Sequence, residues 1–471
     1  MKQKIYNYSP YFVKFILVNI KAYINKKKRY NEFYKPIYDE LLENSVSKRE
    51  VVLKYQKKQL IKLLTECYQY SEFYKKRFLS NNVSIEEIKN KPYDVLFKLP
   101  LLTKDERKKY VDKIINLNPK RKVSSIGYTS GTTGTPTKNY TDKETEAISF
   151  ALWNRFHNTI GINKKSKHIR FSSNLVANPN RLTPPFWVYN IIDNQLMMSV
   201  FNLKEENLKF YINKMNEFQP VYIDGFPSAI FIIADYIVRN KLKLSFKLSA
   251  ICTTAETLFE NQRIVIEEAF GCKVYNQYAS SEGSPFITEC KAGNMHLEED
   301  SGVFEILDDN NVPVKDDNIG RLVVTSLRNW KTPLLRYDIL DYVELSNNHE
   351  ICSCGSPFKY IKSVHGRSND VLWTFDRGYV SGGIATSIKN VQGIKQLQII
   401  QKTPTDFEII IVKNDNYKIS DETYITKNLK LRLGENININ FVYKDKINHN
   451  ISGKLKLLIR EFNVNDYINK K

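Results

Sequence analysis

Through the first 90 residues, apolar side chains return every three or four positions with lysines between them. Two runs carry the pattern, SPYFVKFILVNIKAYINKKKRYNEFYKPIYDELLEN and SKREVVLKYQKKQLIKLLTECYQYSEFYKKRFL, and the period is that of helices with one buried face. Ser47 followed by Glu50 predicts a capping-box start for the second run, and Thr141 followed by Glu144 predicts another ahead of TEAISFALWNRF. KLPLLTKDERKKYVDKI reads as a turn punctuated by Pro and Thr that leads into a short helix.

The pattern changes between about residues 165 and 285, where apolar strands alternate with amphipathic helices. HIRFSS, QLMMSVF, PVYIDGF, LSAICTT and CKVYNQY read as strands; EENLKFYINKMNEF, PSAIFIIADYIVRN and LFENQRIVIEEAF read as helices. This rhythm predicts an α/β fold, a mostly parallel sheet covered by helices, with ligands held at the loops that follow the strands. Strands dominate residues 296–365 and predict a smaller β subdomain, and beyond HGRSND strand and helix mix in a small α+β lobe. The expected organisation is a helical region at 1–90 packed on a large domain at 91–368, followed by a mobile lobe at 369–471.

Composition narrows the class. The chain has 471 residues, 42% of them hydrophobic, and is too long for one core yet apolar enough for several. Its net charge of +20 attracts anions of many kinds. No RNP signature, zinc-finger spacing or Arg-rich tract accompanies that charge, so nucleic acid is not an expected partner. Six cysteines without a secretory signal predict a reduced, cytoplasmic protein. The apolar run YFVKFILVNIKAYI is interrupted by Lys14, Asn19 and Lys21 and falls short of the ~20 apolar residues of a membrane span.

The segment YTSGTTGTPTK, Tyr128 to Lys138, gathers six Ser and Thr hydroxyls, two glycines and a lysine. Small residues let backbone N–H groups approach an anion, hydroxyls add donors, and lysine adds charge, which together describe a polyphosphate cradle. It is not a Walker A loop, because Gly134 is followed by Thr-Pro-Thr-Lys rather than directly by Lys. A Gly/Thr turn between strand and helix is the plainer alternative.

Several further motifs follow in order: FPS at 226–228, TTAET at 253–257, QYASSEG at 277–283, TPLLRYDILD at 332–341, GRSND at 366–370 and SGKLKLLIRE at 452–461. With the loop at 128–138 they resemble the adenylate-forming superfamily, from about residue 90 to the end. Within it the chain looks like the phenylacetate:CoA ligase family, and SPYF and RYDILD resemble its capsular polysaccharide branch. The resemblance implies a large AMP-binding domain of mixed sheets with helices and a β subdomain, with a small C-terminal lobe. It also implies ATP and Mg²⁺ as cofactors, a small carboxylic acid as substrate, and CoA or another acceptor.

Residue by residue, it implies that Thr129, Ser130, Gly131, Thr132, Thr133, Gly134 and Lys138 hold phosphates, with Glu256 and Tyr278 beside the nucleotide. Ser281 would meet the α-phosphate and Glu282 would hold Mg²⁺; a solvated strand-end carboxylate is the alternative reading of Glu282. Asp341 would accept from the ribose hydroxyls, a role for which Asp338 competes on chemistry alone. Arg367 would lie beside ribose and phosphates, Asp370 at a hinge, and Lys454 would neutralise charge that builds during adenylation. Ala279 departs from the Gly usual in relatives. The acyl pocket would be lined around Trp187, Tyr222, Phe226 and ASSEG, residues whose alternative role is core packing.

Two features stand outside that scheme. Cys290 and His296 in CKAGNMH, with Cys352 and Cys354 in CSCG, offer a Cys₃His set for a structural zinc, against the alternative of independent cysteines on a β region. The N-terminal apolar faces beside Lys26–Arg29 either pack on the large domain or touch an anionic membrane. The expected function is formation of an acyl-AMP and transfer to CoA, and the resemblance implies a role in capsule or surface polysaccharide synthesis at the inner face of the membrane. Acyl or aminoacyl transfer to a sugar amine or hydroxyl, and a non-catalytic nucleotide-binding scaffold of a polysaccharide complex, are the alternatives.

Overall fold

The computed structural model describes residues 6, 9–128, 137–256, 258, 260–280, 282–308, 310–316, 319–347, 351–366, 372–376, 378–380, 391, 393–413, 417–445, 447, 458–462 and 467. The chain divides into two compact units: residues 1–128 with 138–365, and residues 129–137 with 366–471.

In the first unit the two long helical patterns each break once. The first gives helices Tyr11–Arg29 and Tyr34–Val46. Asn31 interrupts it, its side chain accepting from Phe33 N at 2.9 Å and donating to Lys28 O at 2.8 Å. The second gives Arg49–Tyr70 and Glu72–Ser80, divided at Ser71, whose hydroxyl accepts from Tyr74 N. Both expected capping boxes are corrected. Ser47 donates back to Glu43 O at 2.7 Å, closing the preceding helix instead of opening the next. Asp142, not Thr141, caps helix Lys143–Thr159 by accepting from Thr145 N at 2.8 Å, because Thr141 belongs to a hairpin where its hydroxyl lies 2.6 Å from that of Ser125.

That hairpin pairs β1 (Ser125–Tyr128) with β2 (Lys138–Thr141). The remaining strands of the unit are β3 (His168–Ser172), β4 (Trp187–Asn190), β5 (Gln195–Ser199), β6 (Tyr222–Gly225), β7 (Ala250–Thr254) and β8 (Val274–Ala279). There follow β9 (Phe286–Glu289), β10 (Met295–Leu297), β11 (Gly302–Leu307), β12 (Ile319–Ser326), β13 (Tyr337–Leu345) and β14 (Tyr360–Gly366). β3 to β14 form one sheet in the order β11-β12-β13-β14-β10-β9-β8-β7-β6-β3-β5-β4. β5-β3-β6-β7-β8 run parallel, with helices in the crossovers from β5 to β6, β6 to β7 and β7 to β8, while β4–β5, β8–β9, β9–β10 and β11–β12–β13 pair antiparallel. The sheet is therefore mixed, and the strand-rich stretch 296–365 extends it edge to edge.

Helix Pro227–Arg239 packs Ile230 and Ile233 with Ile169, Phe171, Ile223 and Ile251 of the parallel strands. Gly225 is required at the end of β6: its φ is +145° and a Cβ there would lie 2.1 Å from Phe171 O. A second core joins the N-terminal helices, through Leu60, Leu64 and Phe78, to Val324, Trp330 and Tyr337. Polar anchors accompany it. Arg155 is buried against Glu298 and Asp300 and donates to Leu41 O at 2.9 Å. Burial alone would lower the Arg155 pKa, but the two carboxylates outweigh it and hold the guanidinium charged. Arg49 grips Glu299 at 2.9 and 3.0 Å.

Helix Tyr11–Arg29 lies along β4, where Asn19 donates to Tyr189 O at 3.0 Å and accepts from Ile191 N at 2.8 Å. Its opposite side is apolar and exposed, with Phe12 at 63% and Ile20 at 53% of full accessibility. Among the described residues no helix is long and apolar enough to cross a membrane.

In the second unit, β15 (Leu372–Thr374) pairs with β16 (Gly378–Val380). A four-stranded sheet runs β19 (Asn438–Tyr443), β18 (Asp406–Lys413), β17 (Ile394–Gln401), β20 (Leu458–Arg460). Helix Ile419–Leu433 lays Ile425, Leu429 and Leu433 on Ile399, Phe407 and Ile409.

Candidate active site

The phosphate-loop candidate leaves β1 and returns on β2 at Lys138, whose side chain is exposed. Thr129, Ser130, Gly131, Thr132, Thr133 and Gly134 lie outside the described residues, as do Ser281, Arg367, Asp370 and Lys454. The described candidate residues of the first unit are Lys138, Glu256, Tyr278, Glu282 and Asp341.

Asn139, next to Lys138, is buried and accepts from two donors: Arg107 Nη2 and Asn329 Nδ2, each at 3.2 Å. Asn329 uses its other amide hydrogen on Glu282 O at 3.0 Å, and its Oδ1 accepts from Thr332 N at 3.1 Å. Thr332 in turn accepts from Tyr140 N at 3.0 Å and donates to Tyr140 O at 2.8 Å. One buried amide thus joins the strand leaving the loop to the backbone of Glu282. Gly283 turns the chain beside it with φ +92°, a conformation that costs glycine little. The Glu282 side chain is 8% exposed, and its Oε1 lies 3.5 Å from the Tyr337 hydroxyl.

Tyr278, near the end of β8, donates to Asp341 Oδ2 on β13. β9, β10 and β14 lie between these strands, so a flat sheet would hold them about 19 Å apart. Contact between the side chains therefore requires the sheet to curl strongly. Asp341, half-buried, lies in a local irregularity: Asp338 pairs with Val323 and Tyr342 with Arg321, so three residues of β13 face Leu322 alone. Leu340 occupies the left-handed region there, at φ +68°, with its N–H donated to Asp338 Oδ1 at 2.9 Å. Asp338, the competing ribose candidate, is buried and ion-paired with Arg321. Arg336 is a packing group, bonded to Glu305 at 2.7 Å and to Leu99 O at 2.7 Å.

Glu256 accepts from Ser228 N at 3.2 Å, at the start of helix Pro227–Arg239, which brings TTAET and FPS together. Of the proposed acyl-pocket residues, Tyr222 belongs to the core: it is 3% exposed and stacks on His168. Trp187 lines a groove of about 510 Å³ with Tyr11, Phe15 and Lys214. Phe226 is half-buried against the parallel-strand core. Cys290, His296, Cys352 and Cys354 do come together, their ligand atoms all within 4.8 Å of one another. The motifs did not reveal Arg107, Asn139 or Asn329, although Asn139 directly follows the lysine of the loop.

Comparison with known proteins sets this frame in a class. The fold is that of adenylate-forming ligases: the crystal structure of a 2-hydroxyisobutyryl-CoA ligase, in complex with 2-HIB-AMP and CoA, superposes with a TM-score of 0.64 at 16% identity, covering 91% of this chain and 93% of that one. Protein CapK of Staphylococcus aureus is 35% identical over 466 residues, 98% of this chain and 99% of the relative. The phenylacetate-coenzyme A ligase of Thermus thermophilus is 23% identical over 340 residues, 69% of this chain and 72% of the relative. Residues 372–461 match the model of the CapK C-terminal domain. The chain belongs to the CapK family.

Proposed function

We propose that the protein activates a small carboxylic acid with ATP and passes the acyl group to CoA. A carboxylate oxygen attacks the α-phosphorus, pyrophosphate leaves, and the thiolate sulfur then attacks the acyl carbon with AMP as leaving group. The observations that carry the reading are the Tyr278–Asp341 hydrogen bond and, separately, the Asn329 amide that joins the strand after the phosphate loop to the backbone of Glu282. Family membership supports it, and so does similarity to the phenylacetate-coenzyme A and 2-hydroxyisobutyryl-CoA ligases.

In this reading Thr129 to Gly134 and Lys138 hold the β- and γ-phosphates and Ser281 meets the α-phosphate. Tyr278 orients Asp341 toward the ribose, Arg367 lies beside ribose and phosphates, and Glu256 borders the nucleotide. Glu282 holds Mg²⁺, which neutralises phosphate charge when bound. Lys454 meets the charge that builds as the acyl-phosphate bond forms. Residues 369–471 act as the moving lobe, with Asp370 at its pivot.

The site of action we propose is the inner face of a membrane, in capsule or surface polysaccharide synthesis. Phe12, Ile16, Leu17, Ile20, Tyr23 and Ile24 make one helix exposed and apolar, beside exposed Lys21, Lys27 and Lys28, a combination that suits an anionic lipid surface.

A panel of carboxylic acids assayed for pyrophosphate release, with and without CoA, tests the reaction. CoA-dependent thioester formation supports the proposal. Pyrophosphate release without thioester would redirect it to a sugar amine or hydroxyl acceptor, and no turnover with any acid would favour a nucleotide-binding scaffold.

A further inference from the structure

The cysteine and histidine cluster lies in the strand-rich half of the first unit and has no part in the reaction proposed above. Cys290 ends β9, His296 sits on β10, and Cys352 and Cys354 occupy the segment before β14. β9, β10 and β14 are consecutive neighbours in the sheet.

The distances carry the chemistry. Cys290 Sγ and Cys352 Sγ are 3.7 Å apart, and Cys354 Sγ is 3.4 Å from His296 Nε2. Tetrahedral zinc with ordinary Zn–S and Zn–N bonds separates two sulfurs by about 3.8 Å and a sulfur from a nitrogen by about 3.5 Å. A disulfide needs ~2.05 Å, so Cys290 and Cys352 are not bonded to each other.

The surroundings fit a metal as well. His296 Nδ1 lies 2.9 Å from Phe358 O, a contact that places the ring proton on Nδ1 and turns the Nε2 lone pair toward the cysteines. Asn294 Nδ2 donates to Cys352 Sγ at 3.1 Å and Ser356 N to Cys354 Sγ at 3.4 Å, as thiolates accept. Both Cys-bearing turns close on a left-handed glycine. Gly293 N donates to Cys290 O at 2.9 Å and Gly355 N to Cys352 O at 2.8 Å, with φ of +84° and +81°.

We infer that Cys290, His296, Cys352 and Cys354 bind one zinc ion in a closed Cys₃His site. With four protein ligands no position remains for water or substrate, so the ion is structural. It clamps the β9–β10 turn to the segment entering β14. That pins the strands that follow the Glu282 turn and lead into the Glu298–Asp300 anchors of Arg49 and Arg155.

The test is elemental analysis of full-length protein purified without chelator, beside Cys354→Ser, chosen because Cys354 is the exposed member of the set. About one zinc per chain in the wild type, lost in Cys354→Ser together with a lowered thermal midpoint, is the expected result. Cobalt exchanged into the wild type should show a thiolate-to-metal charge-transfer band and visible d–d bands of tetrahedral intensity, a readout independent of the variant's folding. Wild-type protein without zinc, iron in its place, or a Cys290–Cys352 disulfide found by mass spectrometry of denatured, alkylated protein would each overturn the assignment.

Discussion

The Tyr278 hydroxyl donates to Asp341 across three intervening strands of the same sheet. In the proposed reading Asp341 meets the ribose and Tyr278 positions its carboxylate. Tyr278→Phe is expected to lower kcat/KM for ATP about tenfold, the worth of one hydrogen bond to a charged group. Asp341→Asn should lose about a hundredfold and narrow the preference for ATP over 2′-deoxy- and 3′-deoxy-ATP. Steady-state kinetics with the three nucleotides read both effects; an unchanged preference in Asp341→Asn would remove Asp341 from the ribose.

Asn329 bridges Asn139 and the carbonyl of Glu282, all of them buried. Asn329→Ala removes the donor to Glu282 O and the acceptor of Thr332 N, while Asn139 keeps Arg107, and is expected to cost ~2 kcal/mol of stability. The Glu282 turn also loses its tether, so more Mg²⁺ should be needed for half-maximal pyrophosphate release. A thermal melt measures the first effect and a Mg²⁺ titration the second.

Lys454→Ala should suppress acyl-AMP formation by about a hundredfold or more while the far-ultraviolet spectrum and melting point stay unchanged. Asp370→Pro should slow thioester formation more than adenylation. Carboxylate-dependent pyrophosphate exchange and single-turnover thioester assays separate the two half-reactions, and equal losses in both would argue against a pivot at Asp370.

His157 is buried in helix Lys143–Thr159, with Nε2 lacking a hydrogen-bond partner among the described residues. Burial lowers its pKa from 6.5 to about 4, opposed by Asp224 and aided by His168 and Arg170. Folding therefore favours the neutral ring. Its contribution is complete above pH 6.5 and is lost as pH falls toward 4, up to ~3 kcal/mol in all. Acid denaturation followed by tryptophan fluorescence should shift to lower pH in His157→Phe.

The exposed face of helix Tyr11–Arg29 yields a prediction in lipid. Ile16→Glu with Ile20→Glu should abolish co-sedimentation with phosphatidylglycerol vesicles and leave turnover in free solution unchanged. Binding by the wild-type protein should weaken with salt, because Lys21, Lys27 and Lys28 supply the electrostatic part. Equal sedimentation of variant and wild type would exclude this face.

Much of this was legible in the chain. The 3.6-residue period located the helix Glu205–Phe218, which buries one face, and short apolar runs located the strands Tyr222–Gly225 and Ala250–Thr254, which are buried on both faces. Polar details escaped it. Whether Ser47 opens one helix or closes another depends on which backbone group its hydroxyl meets, and a hydroxyl can serve either. The Asn139–Asn329 bridge joins residues 190 positions apart through short amides that resemble any loop asparagine in sequence. The curl that brings β8 to β13 is likewise a property of the assembled sheet, not of either strand.

The irregularity in β13 has one more implication. Between Asp338 and Tyr342 the strand carries two residues beyond an even ladder, and an even insertion leaves the in–out parity of a strand untouched. Tyr337 before it and Val343 after it are accordingly both buried, on one odd-numbered face. The carboxylate of Asp341 thus stands on a ledge that can change shape without re-indexing the core, so substitutions on the ledge and in the packing beneath it can vary independently.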